Sequence, residues 1–229
     1  MKKKSILLGA TAVMLVAATS IGGMLAYFTD DASKTNTFNI GDVEVVLNES
    51  GEIPEKYAGE ADWHAGVADV EGKSDLYYED VMPGSKYAKV VTVNLAEDSQ
   101  DAWVFAEIVL DDYDKIAAVA TAAGIDTTAL DNALLVGDNL DNTELVAWKK
   151  DGTAYSLVYS LGTKSAEDAA VTLFEGVQIP GDVTSKMITD ANLSEFSVTV
   201  KAYAIQAANV DKSTAISELF TDSNGYTAF

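Results

Sequence analysis

One histidine and no cysteine among 229 residues decide most of the chemistry open to this chain. Hydrolytic zinc needs two or three imidazoles, or imidazole with carboxylates, around an open coordination position. His64, in "ADWHAGVAD", has no second histidine to join it, and no H-E-x-x-H run is present. A Ser/His/Asp triad cannot be argued from one loop histidine, and thiol chemistry is absent. His64 therefore reads as a surface or loop residue. The 36 acidic residues could hide a carboxylate pair for glycoside hydrolysis, but nothing singles one out. No catalytic, cofactor-binding or metal-ligating residue is assigned.

Calcium is the next chemistry to test. Acids cluster at Asp111, Asp112 and Asp114, at Asp138 and Asp141, and at Glu60, Asp62, Asp69 and Glu71. Calcium wants six to eight converging oxygens, and none of these runs has the spacing of an EF-hand loop. The first cluster reads as acids at a helix N-terminus and the others as solvated surface. Weak, diffuse Ca2+ binding by the whole polyanion stays open. Aromatic residues offer a sugar-binding stripe: Trp63, Trp103 and Trp148 with Tyr77, Tyr78, Tyr155 and Tyr159. Trp103 and Trp148 lie in apolar alternation and read as core. Trp63 and the Tyr77-Tyr78 pair fall in a polar, glycine-rich stretch and read as contact surface.

The net charge of −21 would repel nucleic acid and anionic lipid, so nucleic-acid binding is excluded. Three of the 15 basic residues (Lys2, Lys3, Lys4) open the chain ahead of an uncharged apolar run that closes on small residues. This is the pattern of a secretion signal, residues 1–26, cut between Ala26 and Tyr27. The apolar run is about 20 residues, long enough to span a bilayer, so an uncleaved anchor is the rival reading. Met24 is larger than usual at the third position before the cut. A product cut there loses three basic residues and no acid, and carries −24.

The elements that would position any site are mostly strands. Alternation marks strands in "FNIGDVEVVL", "SKYAKVVTVNL", "DAWVFAEIVL", "AVTLFEGVQIP" and "SEFSVTVKAYAIQAAN". In the last, Phe196, Val198, Val200, Ala202 and Ala204 fall on one face. The turn "AEDSQ" suggests a hairpin between the second and third. "ELVAWKKDGTAYSLVYSL" reads as a hairpin about a type I′ turn at Asp151-Gly152. Residues 48–80 read as a long, partly ordered loop. Helical spacing follows "DDYD" from residue 111, a second short helix lies near residue 130, and a terminal helix begins at an N-cap on Ser213. The sum is mainly β, a jelly-roll-like β-sandwich with a short helical insertion, forming one domain over residues 27–229. Residues 27–39 read as a mobile N-terminal segment leading into the first strand.

Four stretches occur together in one family: "GGMLAYFTD…NTFNIGDVEV", "VMPGSKYAKVVTVNL", the hairpin around "WKKDGTAYSLVYSL", and "FSVTVKAYAIQA". The combination resembles the camelysin/TasA family of secreted bacterial proteins, over most of the chain after residue 26. Ser85 stands where that family commonly has Asp. The resemblance implies processing by a SipW-type signal peptidase and extracellular assembly of jelly-roll subunits into biofilm-matrix fibres. It also implies donor-strand complementation, in which the N-terminal segment of one subunit completes a sheet of the next. The residues allow this, because an extended peptide can fill an open sheet edge. Tyr27, Phe28, Phe38 and Ile40 are then the assembly residues. For Tyr27 and Phe28 the other reading is that they flank a cleavage site; for Phe38 it is an intramolecular strand. The partners expected are further copies of the chain, the peptidase, and other matrix components. Two alternatives remain: a camelysin-type cell-surface metallopeptidase, to which a single histidine is ill suited, and a monomeric surface binding module.

Overall fold

Runs of β-branched and aromatic residues with a two-residue period favour the pleated, half-buried surface of a sheet. The computed structural model describes residues 29–33, 36–37, 43–66, 76, 78, 81–137, 140 and 143–229. The strands are β1 (Thr29–Ser33), β2 (Asn36–Thr37), β3 (Val45–Ser50), β4 (Trp63–His64), β5 (Lys86–Leu95) and β6 (Ala102–Leu110). They continue with β7 (Leu135–Val136), β8 (Glu144–Asp151), β9 (Ala154–Lys164), β10 (Val171–Gln178), β11 (Val198–Gln206) and β12 (Thr227–Ala228). One sheet has the order β12-β8-β9-β6-β11-β1-β2, the other β3-β5-β10-β7, with β4 added beside β5. Among the described residues all pairings are antiparallel except β4 with β5. The chain is mainly β, a two-sheet sandwich with few helices.

The core lies between the sheets. Ala102, Val104, Ala106, Ile108 and Leu110 of β6 meet Val91, Val93 and Leu95 of β5, with Leu173 and Phe174 of β10. Val200, Ala202 and Ala204 of β11 join them, and Phe196 and Val198 pack at the margin, in the phase their spacing requires. A smaller cluster covers the opposite face of the first sheet. There Phe105, Val146, Val158 and Ile205 are roofed by Ala215, Phe220 and Tyr226 of the C-terminal segment.

Helices α1 (Tyr113–Ala123), α2 (Leu130–Leu134), α3 (Ser185–Asp190) and α4 (Lys212–Leu219) complete the fold. α1 buries Ile116, Val119 and Ala120 and stops at Gly124, whose φ of 75° is the left-handed conformation that ends helices. α4 is capped by Asp211, not Ser213: the Asp211 carboxylate accepts from the Thr214 amide at 2.8 Å. The carboxylate is also the stronger acceptor.

Three other expectations change. Residues 96–101 do not close a hairpin, because β5 and β6 belong to different sheets and the turn carries the chain across the sandwich. Between β8 and β9, Asp151 pairs with Ala154, so the loop is Gly152-Thr153. Gly152 has φ of 60° and Thr153 is not among the positive-φ residues, so this is not a type I′ turn, which needs both. The expected loop 48–80 contributes the end of β3, a helical turn over Glu55–Tyr57 and β4.

Candidate functional site

β11 is where the N-terminal segment meets the sandwich. Along one edge β11 pairs with β6 throughout, from Val198↔Leu110 to Gln206↔Ala102. Along the other it pairs with β1 over a shorter span: Thr29↔Ile205, Asp30↔Ala204, Asp31↔Tyr203 and Ala32↔Ala202. β1 then turns into β2, with Ala32↔Thr37 and Ser33↔Asn36. The described part of the segment read as a mobile tether is thus an edge strand on its own chain. Among the described residues, no strand pairs with 198–201 on the β1 side.

β11 is anchored on its outer face. Glu107 of β6 is 1% exposed yet fully engaged. Tyr203 donates to its Oε2 at 2.7 Å, Lys201 to the same oxygen at 3.3 Å, and Tyr226 to Oε1 at 3.0 Å. Burial alone would raise the Glu107 pKa. Hydrogen bonds from Tyr203 and Ser156, the charge of Lys201 and the bond from Tyr226 outweigh that and hold it below the usual carboxylate value. Two of these donors belong to β11 and one to the C-terminal segment, so a single carboxylate ties the strand to its roof. Trp103 adds a second tie, its Nε1 donating to the Val210 carbonyl at 2.8 Å. Sequence reading passed over Glu107; the available signal was one acid inside "WVFAEIVL", a run apolar on both faces.

The residues read as candidates fall as follows. Ala26, Tyr27, Phe28, Phe38 and Ile40 lie outside the described residues, as do Asp69, Glu71, Tyr77, Asp138 and Asp141. His64 is half-buried on β4, its Nε2 3.3 Å from Ser85 Oγ and its ring stacked on Tyr87. Among the described residues no three histidine, aspartate or glutamate side chains gather as metal ligands. The acids at the head of α1 are engaged separately: Asp112 with Lys115, Asp114 with Lys150, and Asp111 with Ser197. Glu60 and Asp62 face Lys86, and the bond from Lys86 holds the Asp62 carboxyl below its ordinary pKa.

Trp63 is not a contact surface. It is 4% exposed, stacks on Tyr57 at 4.2 Å, and lies on Gly176, where a Cβ would come within 2.9 Å of the indole. Tyr78 is half-buried, its hydroxyl donating to the Ala88 carbonyl at 2.6 Å. Trp148 and Tyr155 stack at 5.8 Å against the main core, and Tyr159 is buried with its hydroxyl on Asp131. Of the described members of that aromatic set, Trp63 and Tyr159 are buried and Tyr78, Trp103, Trp148 and Tyr155 are half-buried.

These features define a mainly β, two-sheet domain whose first described strand closes an edge through main-chain pairing. Comparison of the chain with protein-family models, curated proteins and solved structures returns no match.

Proposed function

We propose that the chain is a secreted, non-enzymatic structural subunit that polymerises into extracellular, biofilm-matrix fibres by donor-strand complementation. The observation that carries the reading is the β1–β11 pairing. It is an edge pairing made by main-chain groups, so the same residues of a neighbouring copy can make the same bonds. The resemblance to the camelysin/TasA family supplies the rest: cleavage after Ala26 by a SipW-type peptidase, and Tyr27, Phe28, Phe38 and Ile40 at the subunit junction. The strand order supports a jelly-roll topology, with β1-β11-β6-β9 facing β5-β10-β7; β8, paired with β9 in the first sheet, is the departure from it. Calcium binding in this reading is weak and diffuse.

The experiment is deletion of residues 27–36 from the secreted product, followed by electron microscopy and size-exclusion chromatography. The expected result is a folded monomer that forms no fibres, while the undeleted product polymerises. A deletion variant that still polymerises would overturn the donor-strand mechanism. An undeleted product that stays monodisperse across calcium and pH conditions would overturn fibre formation itself.

A further inference from the structure

The sandwich holds a cavity of about 1030 Å³ between the inner faces of β5 and β11, beneath α1 and the segment 179–197. Ile116 and Val119 of α1, Val200 of β11 and Leu193 give it apolar walls. Its volume is at the upper end of small-molecule pockets. Lys89 is the anomaly in that wall. It shares the inward face of β5 with Val91 and Val93, in the two-residue phase of the core.

The Lys89 side chain is 8% exposed and that of Glu49 5%, with Nζ and Oε2 2.9 Å apart. An ammonium carries three N–H donors. Among the described residues, that of Lys89 reaches Glu49 alone. A buried donor without an acceptor costs free energy. Tyr87, two residues away on the same face, has its hydroxyl oxygen accepting from the Met82 amide at 2.8 Å. The acids that also line the cavity, Asp111, Asp112 and Glu195, disfavour an anion, and the one buried cation is already neutralised by Glu49. Among the described residues Lys89 has one acceptor for three donors, and an uncharged oxygen on an apolar body would supply a second.

We infer that this cavity binds a neutral amphiphile: an acyl-chain-sized apolar ligand bearing one hydroxyl or carbonyl oxygen, which accepts from Lys89. The cavity borders residues 198–200 of β11, beyond the stretch that β1 pairs, and its test does not depend on fibre formation.

The test is fluorescence titration of the purified protein with the neutral dye N-phenylnaphthylamine, followed by displacement with decanol, decanoate and decylamine. Saturable one-to-one uptake is expected, with decanol displacing the dye at about tenfold lower concentration than either charged analogue. Leu193→Trp, at the half-buried margin, is expected to abolish uptake in a protein whose circular dichroism is unchanged. Lys89→Met alone would take the ammonium from a buried carboxylate, so the informative variant is Lys89→Met with Glu49→Leu. It is expected to keep the dye and lose about tenfold in decanol affinity, the value of one hydrogen bond to a charged donor. Absence of saturable uptake by the folded protein would overturn the inference. So would decanoate matching decanol, or undiminished uptake by folded Leu193→Trp. A peptide of residues 27–37 displacing the dye would do the same, by identifying the cavity as a receptor for a second copy of the chain.

Discussion

Replacing Tyr226 by phenylalanine removes one hydroxyl and leaves the ring that packs on Phe220. That hydroxyl donates at 3.0 Å to a carboxylate that is 1% exposed. A hydrogen bond to a charged group contributes about 1.5–3 kcal/mol. Glu107 retains Tyr203, Ser156 and Lys201, so it is not orphaned, and the expected loss is about 2 kcal/mol at neutral pH. For a chain of this size that is about 4–8 °C in Tm. The pH dependence identifies the cause. The folded pKa of Glu107 is depressed, so the network stabilises the fold above the unfolded carboxyl value of about 4.3 and is lost as pH falls through the folded value. Tyr226→Phe lifts the folded pKa, so its deficit is largest near neutrality and shrinks in acid. Urea unfolding followed by tryptophan emission at pH 7 and pH 3 measures both. A deficit under about 0.5 kcal/mol at pH 7, or one of equal size at the two pH values, refutes the charge-assisted account.

Other substitutions test the packing by different means. Lys89→Met removes the ammonium 2.9 Å from the buried Glu49 carboxylate and is expected to cost about 3–5 kcal/mol, whereas adding Glu49→Leu restores stability to within about 1 kcal/mol of the parent; chemical denaturation of both compares them directly. Gly176→Ala would drive a methyl to 2.9 Å from both the Trp63 ring and the Tyr87 carbonyl. The expected loss is about 2 kcal/mol, with a red shift of tryptophan emission as the indole is displaced.

The strands were legible because a two-residue apolar period is a local property, and β5, β6, β8, β9, β10 and β11 all carry it. Their partners were not. Alternation in β5 and β6 is the same whether the two strands pair edge to edge or face one another across a core, so residues 96–100 were read as a hairpin turn when the chain there crosses between sheets. Trp63 was misread for a related reason. Its neighbours are polar and rich in glycine, but its burial depends on Gly176, more than a hundred residues away. Lys89 and Glu107 were visible as single charges in apolar runs. Their roles were not, since a charge there is explained only by its partners: Glu49 on β3 for one, and β11 with the C-terminal segment for the other. The N-terminal assembly residues rest on the resemblance, which composition and spacing alone do not supply.

The arrangement of β11 bears on how the proposed assembly would start. In the isolated chain β1 already occupies the edge that a neighbour's strand would take. Because it is joined to β3 by only about ten residues of chain, β1 has an effective concentration on the order of millimolar at that edge. A free copy at micromolar concentration competes at a disadvantage of about a thousandfold, or roughly 4 kcal/mol, because the main-chain bonds offered are the same. Exchange therefore requires contacts that exist only between subunits. Among the described residues of β1, "TDDAS", no large apolar side chain is available to make them. In the proposed assembly those contacts would fall to Tyr27 and Phe28, which precede β1 in the sequence, and to Phe38 and Ile40, which follow it, the residues that the resemblance implies. Burying two such side chains in a neighbour supplies about 3–6 kcal/mol, which is the size of the deficit. On this account the strand makes exchange possible in either direction, and the flanking aromatic and aliphatic residues decide whether it proceeds between chains.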